Sequence, residues 1–148
     1  MPVSITLTVT SFQDTDSTAA GSRYCTVAMS LGPNPPDGVT LDPGDNNLLH
    51  VKGGAQDLVF TVAPPAGSTE TYYALGFALK GPAGDKHGRT SFDIKNGKPD
   101  DSTFRIRNNW SLHGPAASGG VRYSFFVVIQ RVSDKAIGII DPEISNED

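Results

Sequence analysis

One apolar stretch constrains the fold more than any other feature: Val121 to Ile144, VRYSFFVVIQRVSDKAIGIIDPEI. Phe125, Phe126, Val127, Val128 and Ile129 run without a polar break, the pattern of a strand covered on both faces. Ser133, Asp134 and Lys135 supply turn chemistry before Ala136 to Ile140 becomes apolar again, so the stretch reads as a β-hairpin. A hairpin this apolar is unstable alone and must be buried against further structure.

The remainder of the chain offers strands for that purpose. Val3 to Val9 alternates apolar and hydroxylated residues, and Arg23 to Leu31 places Cys25, Val27, Met29 and Leu31 on one face; period-two alternation directs one face inward and leaves the other wet. The segment Gly32 to Gly38, GPNPPDG, cannot sit inside a ladder, because proline donates no hydrogen bond there. Val39 to Leu41 is a short strand closed by Asp42, Pro43 and Gly44. Leu48 to Val51 and Leu58 to Val62 read as a hairpin joined through Lys52 to Asp57, where Gly53 and Gly54 can take positive φ. Thr71 to Lys80 directs Tyr73, Leu75, Phe77 and Leu79 to one side, with Gly76 as a bulge or close backbone approach and Tyr72 as an aromatic that could face outward. Thr90 to Lys95 and Thr103 to Arg107 complete the set.

No segment repeats apolar residues at three and four with caps, so almost no helix is expected. Eight or nine short strands with regular turn signals predict one all-β domain over residues 1–148. The predicted architecture is an antiparallel β-sandwich, immunoglobulin-like with Greek-key connections, with a small β-barrel as the alternative.

Charge and cysteine narrow the function classes. The net charge of −4 with scattered Lys and Arg argues against a nucleic-acid or anionic-membrane partner. A single cysteine, Cys25, permits no intrachain disulfide and fits a reducing compartment. The opening MPVSITLTVT lacks a signal peptide's basic start and unbroken apolar core, so a cytoplasmic location is expected. No stretch is long and apolar enough for a transmembrane helix.

Reactive chemistry is sparse. There is no G-x-S-x-G elbow and no phosphate-binding loop, and alternation buries Cys25. His50, His87 and His113 lack metal-ligand spacing and read as exposed loop residues. Asp14, Asp16, Asp42, Asp45, Asp100, Asp101, Asp141 and Glu143 lie in or beside turns. Such carboxylates are grouped in some calcium sites, but aspartate is also a common turn residue. No metal and no cofactor is therefore assigned. The one ligand-like cluster is Asn108, Asn109, Trp110 and His113, in which an indole could stack on a sugar ring while amides bond its hydroxyls; plugging the end of the sandwich is the alternative role for Trp110.

The ending GIIDPEI, Gly138 to Ile144, follows an aromatic strand and resembles the signature of the DP-EP family, small bacterial proteins of uncharacterised function. It also resembles the ending of the AidA and PixA inclusion-body protein family, small β-rich intracellular proteins, with Ser145 where a second proline is expected. Neither resemblance implies catalytic residues. Asp141, Pro142 and Glu143 are expected to form a structural lock: Asp141 bonds its turn, Pro142 ends or turns the strand, and Glu143 meets an arginine such as Arg107. The function these observations predict is a non-enzymatic binding or self-assembly module, with unprotected strand edges that would make homo-oligomers natural. The alternatives are a carbohydrate- or calcium-dependent ligand module and an unrecognised hydrolase using His87 or His113.

Overall fold

Alternation in the sequence becomes alternation in burial. In the computed structural model, which describes residues 1–14, 24–54, 56–80, 92–95, 101–108 and 121–147, β1 (Val3–Ser11) buries Val3, Ile5, Leu7 and Val9 and turns its hydroxylated residues outward. The other elements are β2 (Thr26–Leu31), β3 (Val39–Leu41), β4 (Leu48–Lys52), β5 (Gln56–Ala63), β6 (Tyr72–Lys80), β7 (Phe92–Lys95), β8 (Thr103–Asn108), β9 (Val121–Arg131), β10 (Ile137–Ile140) and β11 (Glu143–Glu147). No helix occurs among the described residues.

The strands form two packed sheets and no closed barrel, as a sandwich requires. Sheet I has the order β2-β1-β5-β8-β7; in sheet II, β9 pairs with β6 on one side and with β10 and β11 on the other, and β4 and β3 continue beyond β11. The core between the sheets includes Phe60 stacked on Phe104 at 5.0 Å, together with Phe125, Val127 and Ile129 of β9.

Three expectations change. The sandwich is not wholly antiparallel: β1 runs parallel to β5, and β4 parallel to β11. The predicted β4–β5 hairpin is absent, because β4 lies in sheet II and β5 in sheet I. Gly53 and Gly54 do take positive φ (75° and 142°), but that turn carries the chain from one sheet to the other. In β6 the register shifts between Ala74 and Gly76, so the bulge is present, and it exchanges the strand's faces. Tyr72 and Ala74 are buried before it, Leu75 is 40 % exposed within it, and Phe77 packs against the core after it. Tyr72 is therefore an inward aromatic.

The opening hairpin is real, with Arg131 N donating to Ala136 O at 2.9 Å and Lys135 at φ 61° in the turn. Its return strand continues past Asp141 and Pro142. Ile140 pairs with Val127 and Glu143 with Ser124, each three residues further on, so no residue is inserted. Proline loses one ladder donor there, yet its carbonyl still accepts Phe125 N at 2.9 Å. The strand is interrupted but does not turn away. On β9 the residues between the buried ones, Phe126 and Val128, are half-buried, so the second face is only partly covered.

Candidate functional site

β2 is an edge strand of sheet I. Gly32 N donates to Ser4 O, and the same register makes Ser30 and Ala28 the residues bonded to β1. The odd residues of β2 therefore turn their N–H and C=O groups away from β1. Met29 N donates from this edge to Asn46 O in the turn before β4, and Cys25 N, just before β2, donates to Ile139 O of β10, both at 2.7 Å. Val27 lies midway, and its main chain has no hydrogen-bond partner among the described residues.

A cleft of about 340 Å³ opens beside Val27, between the β2 edge and the segments carrying Asp45, Asn46, Asn47, Asp141 and Glu143. Tyr24, 38 % exposed, stands at its rim with its ring stacked on Phe126 at 5.9 Å. The walls are well fastened. Asp45 Oδ1 accepts Asn47 N at 2.9 Å, Asn47 Nδ2 donates to Asp141 O at 2.6 Å, and Glu143 N donates to Asn47 O at 3.0 Å. Asn47 Oδ1 is buried with no hydrogen-bond partner. Gly138 lets β10 approach: a Cβ there would lie 2.6 Å from Cys25 Sγ and 2.9 Å from the Phe12 ring.

The expected lock of Asp141, Pro142 and Glu143 is thus one side of this cleft. The Glu143 contact differs from the expected one, since Glu143 lies 3.6 Å from Arg122 and accepts Ser124 Oγ at 3.3 Å. Arg107 instead pairs with Asp57 at 3.0 Å, on the other sheet. Cross-strand neighbours on β9 explain the difference, because Glu143 sits directly opposite Ser124 and one diagonal from Arg122.

Of the residues expected at a ligand site, Asn109, Trp110 and His113 lie outside the described residues, as does His87. Asn108 is fully buried. Its amide makes a reciprocal pair with Asn146 of β11, Nδ2 to Oδ1 at 2.7 Å and 3.2 Å, which joins the two sheets. Cys25 is buried, and Gln13 N donates to its sulfur at 3.2 Å.

A second polar cluster escapes sequence reading. His50, expected in a loop, is on β4 and half-buried. Its Nε2 meets Asp42 Oδ1 at 2.8 Å and its Nδ1 meets Glu147 Oε1, while Lys52 reaches Glu147 Oε2 at 3.2 Å. Both ring nitrogens face carboxylates, and only the imidazolium can donate from both. Burial opposes that charge, but the hydrogen bonds to Asp42 and Glu147 outweigh it and raise the His50 pKa. The His50 hydrogen bond lowers Asp42. At Glu147 burial is likewise opposed, and overcome, by His50 and Lys52, so its pKa falls. While it is protonated, an imidazole held in this way cannot accept a further proton. No group of three His, Cys, Asp or Glu side chains among the described residues is arranged to hold a metal ion.

No helix among the described residues is long and apolar enough to cross a membrane. The chain matches no family model and no curated protein.

Proposed function

We propose that the chain is a non-enzymatic cytoplasmic binding module, and that the cleft beside Val27 holds a small polyhydroxylated ligand of the carbohydrate class. The observation that carries this reading is the main chain of Val27, without a hydrogen-bond partner among the described residues, within a cleft whose other walls are fixed. A buried polar group left without a partner is costly, and a ligand that supplies the missing bonds recovers that cost. Val27 offers one donor and one acceptor; Asp45, Asn46 and Asn47 add acceptors and amide donors, and Tyr24 supplies an aromatic rim. Hydroxyl groups, which donate and accept, match that mixture, and a pyranose face packs on an aromatic ring. The enzymatic alternative lacks support in the described chemistry, because Cys25 is enclosed and His50 is occupied on both nitrogens. Membership of the DP-EP family is a further proposal and rests on the ending Gly138 to Ile144, with Asp141, Pro142 and Glu143 placed after the strand, and on the chain's length and β pattern.

The test is an amide-resolved NMR titration of the full chain with methyl glycosides of glucose, galactose and mannose. Shifts concentrated at Val27, Asn46 and Asn47 are expected. Glycosides that leave these amides unmoved at millimolar concentration would remove the carbohydrate reading.

A further inference from the structure

The turn that forms one wall of the cleft is also held by the His50 cluster. Asp42 opens this turn and is bonded through Oδ2 to Gly44 N at 2.9 Å and through Oδ1 to His50 Nε2. Asp42 N donates to Leu48 O and Leu48 N to Asp45 O, so residues 42–48 form one tightly bonded unit. That unit reaches β2 through Asn46 O and the β10–β11 joint through Asn47. The same imidazole grips β11 at its far end through Glu147. His50 therefore bonds the first residue of the turn that faces Val27 across the cleft, and reaches β11 at the end away from the cleft.

We propose that His50 is a proton-operated latch: while protonated it holds the 42–48 turn and β11 together and keeps the cleft in its ligand-competent shape, and loss of the proton loosens that wall. The proposal rests on the cleft being the binding site, and adds its regulation. The physical cause is a count of donors. A neutral imidazole keeps one N–H, so one of the two carboxylates must then face a ring lone pair. Among the described residues, the remaining charges around the ring do not replace the lost contact. Lys52 of β4 is engaged with Glu147 Oε2. Ser145 of β11, beside His50 in the ladder, offers a hydroxyl 3.4 Å from Glu147 Oε1. Arg122 of β9, beyond Ser145 in the same row, pairs with Glu143. Thr40 of β3, on the other side, carries no charge.

The direction of the effect follows from the sign of each shift. The raised His50 pKa means that its contribution is complete below the ordinary histidine value of 6.5 and is lost as pH rises through the folded-state value. The lowered values of Asp42 and Glu147 mean that theirs is complete above 3.8 and 4.5 and is lost as pH falls through the folded-state values. The latch is closed between these limits and opens on the alkaline side of His50.

The experiment follows the ligand-free full chain by NMR from about pH 5.5 to about pH 8.5, a range spanning the histidine titration. The latch predicts that the amides of Val27, Asn46 and Asn47 shift with the same midpoint as the His50 ring protons. The H50Q variant should show no such transition, and Glu147→Gln should move the midpoint to lower pH. Cleft amides that stay flat while His50 titrates, or that titrate unchanged in H50Q, overturn the latch whatever binds. If H50Q does not fold, the Glu147→Gln midpoint decides: a shared shift of ring and amides supports the latch, and independent behaviour overturns it. A methyl glycoside that binds should do so about fivefold more weakly at the alkaline end; equal affinity at both ends overturns the proposal. Absence of any glycoside binding, with the amides still following His50, removes the carbohydrate reading and leaves the latch standing.

Discussion

The two ends of β11 handle polar groups in opposite ways. At its start, beside Glu143, the main chain of Val27 and the Oδ1 of Asn47 have no hydrogen-bond partner among the described residues. At its end, Asn146 is paired with Asn108 in both directions, and Glu147 is shared by His50, Lys52 and Ser145. The contrast separates two uses of polarity inside one sandwich. Satisfied groups specify how the sheets meet, whereas unsatisfied ones, in a cleft, are available to something else.

The largest effect is expected at the satisfied end. Asn146→Leu removes both hydrogen bonds that Asn146 makes with the buried Asn108 amide and should cost about 2 kcal/mol in urea denaturation. The double variant N108L/N146L, which removes both groups, should recover most of that loss; equal destabilisation by single and double variants would mean that the amide pair is not what matters there. At the cleft end, Gly138→Ala drives a methyl into Cys25 Sγ and the Phe12 ring and should cost about 1–2 kcal/mol as overpacking. Adding Cys25→Ala should relieve part of it.

A smaller effect is expected from pH. The urea midpoint should fall as His50 loses its proton above pH 6.5, and fall separately below pH 4.5 as Glu147 and Asp42 are neutralised. H50Q should abolish the alkaline limb and keep the acid one. Hydrogen exchange sharpens the comparison with no change in stability. Ala28 N–H, bonded to β1, should be protected, and Val27 N–H, one residue away and on a residue only 6 % exposed, should exchange much faster. The smallest effect is expected at the exposed Arg131–Asp134 pair. Its hydrogen bond to Arg131 holds the Asp134 carboxyl at about 2, yet Asp134→Asn should leave the denaturation midpoint unmoved near neutral pH, since solvent screens such pairs.

The local pattern made most strands legible. β1, β2, β5 and β8 bury the residues that alternation assigns inward, and the turn at Ser133 to Lys135 forms where its residues predict. In β6 no single alternation holds along the strand, because a bulge at Leu75 reverses the faces and a bulge leaves the composition unchanged. The site was less legible. Asp45, Asp141 and Glu143 were visible as turn carboxylates, but Asn108, read as a ligand-facing amide, is fully buried, since a polar residue that ends a strand can equally face a polar partner across the core. Val27 gave no signal, because its role belongs to the main chain and its side chain is an ordinary core valine.

The sequence by itself determined the all-β class, the inward faces of most strands and the positions of several turns, because period-two burial and turn chemistry act over a few neighbouring residues. Tertiary structure decided the rest. The parallel pairings β1–β5 and β4–β11, the meeting of His50 with Glu147 across 97 residues, and that of Asn47 with Asp141 across 94 all depend on which strands become neighbours. That choice is set by how the apolar faces of eleven strands cover one another, a global packing condition that local periodicity does not encode.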